Sequence, residues 1–327
     1  MSNLDHPFTY QGRLIFNGIF RTEIRGNELN RDAVMQKLPK FQEGSPEHPG
    51  SGYEVRRMGD VGGEDHELPP QVHEETDDTI LIRYRYEEYD TQEALVGGEL
   101  ETVATRSISE VDLYWVYPDY LFIRGSKSDV KQAKRDINRA IGGGVRIDEL
   151  EFDFRFLLWI FYKHYEGLEL ANDLTIRRLS DAETRNKVGG PAEIQRFTDS
   201  RDVTRSASVL RDLLEILRGK TLTMVGGDFL LHDNTYSANI STSGRIQIKS
   251  QFEIADARDL TRVRLSVLFV KRITELYTEW ETRPPRDKYP PEEFFEDVKE
   301  YLTSRGVEMQ FTLEETLVPY MEQRVEE

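Results

Sequence analysis

The chain has 327 residues, a formal net charge of −17 and no cysteine. Its 38% hydrophobic and 31% charged residues are typical of a globular protein with an unusually charged surface. No apolar run approaches the roughly 20 residues of a membrane helix, and the lack of cysteine excludes disulfides, thiol nucleophiles and cysteine-ligated zinc. Because no basic stretch followed by an apolar one opens the chain, we expect no signal peptide and a cytoplasmic location.

Lysine is scarce relative to arginine among the 43 basic residues of this acidic chain. An acidic, lysine-poor surface resembles that of proteins from salt-loving organisms, in which high salt screens the repulsion between carboxylates. An ordinary acidic cytosolic protein is the alternative. In a halophilic protein, net negative charge does not argue against a nucleic-acid partner, and the distribution of charge along the chain becomes informative.

Residues 1–145 predict a β-rich N-terminal ββα domain. The expected elements are strands at 8–20, a short helix at 30–38, strands at 79–86 and 99–108, and a hairpin of 111–117 and 120–124. The stretch 43–78 is acidic, rich in glycine and proline, and poor in large apolar residues. We therefore expect a long flexible loop there.

A helix is expected after the hairpin, because Ser126 and Asp129 have the spacing of a capping box and Gly142 supplies a left-handed stop. One stripe of this helix is apolar, and its outer face carries the basic residues Lys127, Lys131, Lys134, Arg135 and Arg139. A strand, a Gly-Ser turn and a helix of this kind resemble one piece of a KH-type RNA-binding unit. The Gly-x-x-Gly loop with which that family clamps the nucleic-acid backbone is missing. An ordinary ββα unit with a solvated basic face is the alternative.

Residues 146–327 predict a helix–sheet–helix domain. The expected elements are a helix at 150–165, a strand at 174–179, a helical turn at 181–187, a strand at 193–197, a helix at 207–217, a hairpin at 236–249, helices at 258–280 and 292–304, a strand at 308–312 and an acidic end. The fold class expected for the whole chain is α+β, with mainly antiparallel sheets packed with amphipathic helices in two domains.

One set of residues in this second domain has the order of a catalytic site. A helix carries Glu215, strands carry Asp228 and Asp233, and the stretch from Gln247 to Lys249 lies on a strand before a helix. This order resembles the core of PD-(D/E)xK nucleases, in some branches of which, such as Mrr-like restriction enzymes, Gln replaces the second acid. The resemblance implies that an Asp, with Asp233 as the metal ligand, and the helix Glu would hold Mg²⁺, and that Lys249 would orient water or stabilise charge on phosphorus. The alternative is that Asp233 belongs to a turn while Gln247 and Lys249 face water.

A binding surface is the competing interpretation of the same region. Residues 205–280 hold 11 basic and 9 acidic side chains, whereas residues 1–105 hold 10 basic and 21 acidic ones. A near-neutral region on a strongly acidic chain is expected of a surface that binds phosphates. The residues expected to form this surface are Arg245, Lys249, Arg258, Arg262 and Arg264.

We therefore predict a non-enzymatic nucleic-acid-binding or accessory protein that uses a locally basic sheet and helix surface, with no cofactor and no membrane partner. A Mg²⁺-dependent nuclease is one alternative. A protein–protein interaction or self-association module is the other. The sequence favours a binding protein but does not decide whether the protein is an enzyme.

Overall fold

The computed structural model describes residues 14–25, 29–61, 68–97, 99–186, 194–198, 203, 206–249, 259–308 and 312–325. The chain divides into two compact units. Unit 1 comprises Met1–Leu150 and Ala257–Leu268, and unit 2 comprises Glu151–Asp256 and Phe269–Glu327. The predicted fold class is confirmed, because antiparallel strands pack with amphipathic helices in an α+β architecture. The predicted division into two domains stays a prediction.

Unit 1 is built on an antiparallel sheet with strand order β2-β3-β4-β5-β1-β6. Its strands are β1 (Leu14–Ile24), β2 (Ser51–Arg57), β3 (Ile80–Val96), β4 (Glu99–Val116), β5 (Tyr120–Arg124) and β6 (Val145–Glu149). Its helices are α1 (Arg31–Lys37), α2 (Pro70–Thr76) and α3 (Lys127–Ile141). The predicted strands at 99–108 and 111–117 are one continuous strand, β4, because it pairs with β3 along its whole length.

The core of unit 1 lies where α1 and α3 cover one sheet face. Alternate residues of β3 and β4 supply the apolar side of this face, as the period of two predicts. Three tyrosines from neighbouring strands lie side by side there, with ring centroids 5.1 Å apart for Tyr53 and Tyr84 and 5.4 Å apart for Tyr84 and Tyr86. The hydroxyl groups of Tyr84 and Tyr86 donate hydrogen bonds to α3, so these two rings both fill the core and hold the helix.

The expected flexible loop at 43–78 is wrong for most of its described residues, which include β2 and α2. The reason lies in a long-range contact that composition does not reveal. The carboxylate of Glu87 on β3 accepts hydrogen bonds from the backbone N–H groups of Gly44 at 3.0 Å and Gly50 at 2.8 Å. Buried Tyr53 and Val72 add the apolar anchors that the segment was expected to lack.

Unit 2 is built on an antiparallel sheet with strand order β11-β10-β9-β7-β8. Its strands are β7 (Leu174–Arg185), β8 (Ile194–Thr198), β9 (Thr221–Leu231), β10 (Asn234–Ser241) and β11 (Arg245–Lys249). The helices are α4 (Phe154–Tyr165), α5 (Ala207–Ile216), α6 (Asp259–Glu281), α7 (Pro285–Lys288), α8 (Glu292–Ser304) and α9 (Leu313–Val325), of which α6 begins in unit 1.

Aromatic packing joins the helices of unit 2 to its sheet. Phe269 on α6 contacts Phe229 and Tyr236, with ring centroids 5.5 Å and 4.8 Å away. Phe156 on α4 is fully buried and lies 5.0 Å from Tyr277 and 5.6 Å from Trp280 on α6. The aromatic density that sequence places at 152–161 is thus the core of this unit.

One predicted element of unit 2 is wrong. The helical turn expected at 181–187 is strand up to Arg185, because β7 continues along β9 through several bulges. The acidic end expected after 308–312 contains α9, while residues 309–311 lie outside the described residues. In the described part of the chain, no helix is long and apolar enough to cross a membrane.

Candidate nucleic-acid interface

Helix α3 has well-defined ends that fix the orientation of its faces. The Ser126 hydroxyl accepts a hydrogen bond from the N–H of Asp129 at 3.2 Å, and the Asp129 carboxylate accepts one from the N–H of Ser126 at 2.9 Å. This reciprocal pair is the capping box that the sequence predicts. Gly142 ends the helix with a φ of 73°, in the left-handed region that glycine adopts without strain.

The inner side of α3 contacts the sheet through apolar and acidic side chains. Its buried residues are Val130, Ala133, Ile137 and Ile141. Asp136 accepts a hydrogen bond from the Tyr84 hydroxyl at 2.5 Å, and Asp129 accepts one from the Tyr86 hydroxyl at 3.1 Å. Burial and the neighbouring Asp136 raise the pKa of Tyr84, so the tyrosine stays a proton donor. Both carboxylates of the helix are therefore engaged by the sheet.

The outer side of α3 is a row of basic residues, which we call the α3 ridge: Lys127, Lys131, Arg135 and Arg139. Successive members are four residues apart, so they lie one above another on the helix surface, over about 18 Å at 1.5 Å per residue. All four are exposed. Lys134 flanks the row and lies 4.7 Å from the centre of the Phe20 ring.

Most of the positive charge of the α3 ridge is not neutralised by neighbours. Lys127 and Lys131 have no carboxylate partner within the described ranges. Arg135 and Arg139 share one partner, Asp136, at 3.3 Å and 3.2 Å, and their side chains remain 64% and 73% exposed. Exposed pairs of this kind contribute little and are readily exchanged for a phosphate. Lys127 also lies in the first turn, where the helix dipole is positive.

One of the basic residues predicted on α6, Arg264, is buried. Arg264 is 3% exposed, and its guanidinium donates to the Met58 carbonyl at 2.9 Å, to the Thr76 hydroxyl at 3.1 Å and to Asp77. Arg264 therefore links α6 to residues 58 and 76–77 within unit 1. Arg262 is half-buried, and Arg258 lies outside the described residues.

Of the two basic residues predicted on the hairpin, one is exposed and the other is half-buried. Arg245 on β11 is exposed and donates to the Gln247 side chain at 3.3 Å. Lys249 is half-buried, and its ammonium lies 2.5 Å from the carboxylate of Asp181, which is 1% exposed. Of these two cations, only Arg245 is available to a ligand without breaking a buried pair.

The residues of the nuclease hypothesis are only partly brought together. Asp228 and Lys249 both pair with Ser237, so they lie in one row of one sheet face, about 10 Å apart across two strand spacings. Asp233 lies in the β9–β10 turn with a φ of 62°, four residues from that row, or about 13 Å along the strand. Glu215 lies on α5, 3.7 Å from Arg218.

Asp228 already has a partner, and so does Lys249. The Asp228 carboxylate accepts a hydrogen bond from Arg178 at 2.7 Å. A metal at this face would have to displace Arg178 from Asp228 or Lys249 from Asp181. Within the described residues, no group of three His, Asp or Glu side chains could hold a metal ion. The predicted metal site at Asp233 stays a prediction.

Asp181 is a central polar residue that sequence reasoning did not find. Its carboxylate accepts hydrogen bonds from Lys249 at 2.5 Å, Thr198 at 2.8 Å and Ser180 at 3.1 Å. Burial alone would raise its pKa, but these donors outweigh burial and hold the pKa below its usual value. No local signal could have identified it, because its main partner lies 68 residues away in the sequence.

The sequence shows the cations of α3 but predicts the binding surface on the hairpin and α6. The signal that favours α3 is the regular spacing of four residues, together with the two aspartates that the sheet tyrosines engage. No protein-family model matches the chain, and a comparison with curated proteins gives no match.

Proposed function

We propose that the protein binds nucleic acid through the α3 ridge. The observation that carries the proposal is the separation of charge on one helix. Its two carboxylates are engaged by Tyr84 and Tyr86, and only Asp136 also pairs with ridge cations, Arg135 and Arg139. Lys127 and Lys131 have no carboxylate partner among the described residues, on a chain of net charge −17. A cytoplasmic and halophilic setting is the context in which we place this activity.

The proposed contacts are with the sugar–phosphate backbone. One strand of a duplex carries a phosphate for every 3.4 Å or so of helix axis, so an 18 Å row of cations can contact several phosphates. Lysine and arginine donate charge-assisted hydrogen bonds to phosphate oxygens and release counterions from the nucleic acid. Contacts of this kind position a nucleic acid without reading its bases, so we expect binding with little sequence preference.

The first test is charge reversal on the ridge. Lys127→Glu combined with Lys131→Glu should weaken binding to 30-nucleotide RNA and DNA probes about tenfold or more, because two phosphate contacts become repulsive. Both positions are exposed, and a Glu in the first helical turn suits the helix dipole, so the fold should be kept. Fluorescence anisotropy at several potassium chloride concentrations, with circular dichroism at each, measures affinity and folding together.

A matched control separates a local site from general charge. Arg185→Glu combined with Arg305→Glu changes the net charge by the same amount in unit 2, at two exposed positions. This control should bind as the parent does. Equal loss in both double variants would mean that net charge alone governs binding, and no binding by the folded parent at any salt would reject the proposal and favour a protein partner.

The nuclease alternative is tested with the same probes. If the protein is a PD-(D/E)xK-like enzyme, it should degrade DNA or RNA in Mg²⁺ or Mn²⁺, and Lys249→Ala combined with Asp233→Ala should abolish degradation. What favours this alternative is that Asp228 and Lys249 share one row of a sheet face. Cleavage that survives the double substitution would rule out Asp233 and Lys249 as catalytic residues. The Lys127→Glu, Lys131→Glu variant would then show whether α3 binds the nucleic acid that is cleaved.

A further inference from the structure

Unit 2 contains a cavity of about 370 Å³ between α4, α9 and the segment that follows α6. Its lining includes four basic residues and one acidic residue: Lys163, Arg283, Arg286, Arg324 and Asp287. Its volume lies within the range of small-molecule sites. On a chain of net charge −17, a concave site with this excess of positive charge is a local reversal of the overall balance.

Two of these cations have no carboxylate partner in the part of the chain that the structure describes. Lys163 and Arg283 instead stand over the ring of Trp159, at 5.6 Å and 4.9 Å from its centroid. Cation–π contacts orient a charge without neutralising it. Both groups therefore keep their hydrogen-bond donors for another ligand.

The other two cations are weakly compensated. Arg286 lies 3.8 Å from Asp287, and both side chains are more than half exposed. Arg324 donates to the Arg286 carbonyl at 3.1 Å, while its Nε atom is buried without a hydrogen-bond partner. Unpaired buried donors are costly, so an acceptor that enters the cavity would relieve that cost.

The pKa of Lys163 is lowered, first by burial and then by the positive charge of Arg283. Arg283 and Lys163 are thus close enough to repel each other, while Asp287 partly offsets this repulsion. Arg272 on α6 provides the contrast within the same unit, because Asp173 holds it at 2.8 Å. Arg272 thus has its own carboxylate, whereas Lys163 and Arg283 have none among the described residues.

Packed aromatic rings form part of the cavity wall. Trp159 is 1% exposed and stacks on Phe156 with ring centroids 6.0 Å apart. Tyr289 accepts a hydrogen bond from Arg155 at 2.9 Å, and that arginine is itself held by Asp153. Cations that are positioned by packed aromatic rings lose little freedom when they bind, which favours affinity.

We propose that this cavity binds a phosphate-bearing small molecule, with Arg283, Lys163 and Arg324 as ligands for the phosphate oxygens. Guanidinium groups match the paired oxygens of phosphate, and an ammonium adds a compact third charge. The excess of three positive charges suits a di- or trianion better than a single carboxylate. The space exceeds that of one phosphate, so pyrophosphate or a nucleoside diphosphate is the expected size class. The proposal does not depend on α3.

Calorimetric titration with pyrophosphate and with ADP tests the proposal. The folded parent should bind at least one of them, and Arg283→Gln should weaken that binding about tenfold or more, since a charge-assisted pair is lost. Lys163→Met should weaken it as well, while Arg305→Gln should not. Arg305 is the matched control, because it also stands over an aromatic ring, 5.2 Å from the centre of Tyr301. Thermal melting shows that each variant is folded.

Two further arms identify the source of the phosphate and the chemistry of the anion. An oligonucleotide with a 5′-phosphate that binds more tightly than its 5′-hydroxyl form, with the difference lost in Arg283→Gln, supports the site with a nucleic-acid end as its ligand. Citrate should bind more weakly than pyrophosphate. The proposal is overturned if none of the phosphate probes binds the folded parent, if Arg283→Gln and Lys163→Met leave binding unchanged, or if citrate binds more tightly. Lys127→Glu with Lys131→Glu should leave pyrophosphate binding unaffected, so the two sites can fail separately.

Discussion

Phe156→Ala should lower the free energy of unfolding by about 3–5 kcal/mol, the usual cost of removing a buried phenylalanine. The side chain is 0% exposed and contacts Phe152, Trp159, Tyr277 and Trp280. Its loss leaves a cavity between two helices that rigid rings cannot close. Urea unfolding followed by tryptophan fluorescence measures the effect, and two of the three tryptophans of the chain lie beside the substitution.

Phe154→Ala on the same helix is the matched comparison. Phe154 is only half-buried, so its removal exposes less apolar surface and should cost less than half as much. Equal costs for the two substitutions would contradict the assignment of Phe156 to the centre of this core. The result bears on function as well, because Phe156 supports the Trp159 ring under the phosphate cavity.

Lys249→Met should cost about 3 kcal/mol at pH 7, because it leaves the buried Asp181 carboxylate without its cation. Arg245→Met on the same strand should stay within about 0.5 kcal/mol, since Arg245 is exposed. The comparison separates a structural lysine from a catalytic one. If Lys249→Met leaves stability unchanged, the pair with Asp181 is not structural and the nuclease role of Lys249 gains weight.

The same pair predicts a pH dependence with a definite sign. The pKa of Asp181 is depressed in the folded protein, so its contribution to stability is complete above its unfolded value, about 3.9, and is lost as pH falls through the lower folded value. In Lys249→Met, burial is no longer countered by the ammonium, and the carboxyl is protonated more easily. The stability difference between parent and variant should therefore shrink as pH falls from 7 toward 4. Urea midpoints across that range measure it.

Local patterns predicted a large part of this fold. The capping box at Ser126, the left-handed Gly142 and the apolar stripe of α3 are short-range signals, and the structure confirms each of them. The Thr-Ser-Gly turn and the alternation along β10 and β11 are of the same kind. Features that depend on contacts within one or two turns of the chain can be predicted from the sequence, because neighbouring side chains determine them.

The errors arose where distant residues decide the structure. Glu87 ties down a segment that composition predicts to be loose. Asp181 belongs to a strand because it pairs beside Gly226 and is held by Lys249, although its local sequence suggests a helical turn. The proposed binding surface differs from the predicted one for a related reason. Arg264 and Lys249 are charged residues that fold inward onto partners, and charge counts along a sequence cannot separate these from exposed ones.

The central claim is that the α3 ridge binds nucleic-acid phosphates, and the salt dependence of binding tests it most directly. With about four cations engaged, a plot of log affinity against log salt should have a slope of about −3 to −4, and Lys127→Glu with Lys131→Glu should make it shallower by about 2. The Arg185→Glu, Arg305→Glu control should keep the parent slope. A slope that the ridge variant leaves unchanged, with the protein folded throughout, would contradict the claim.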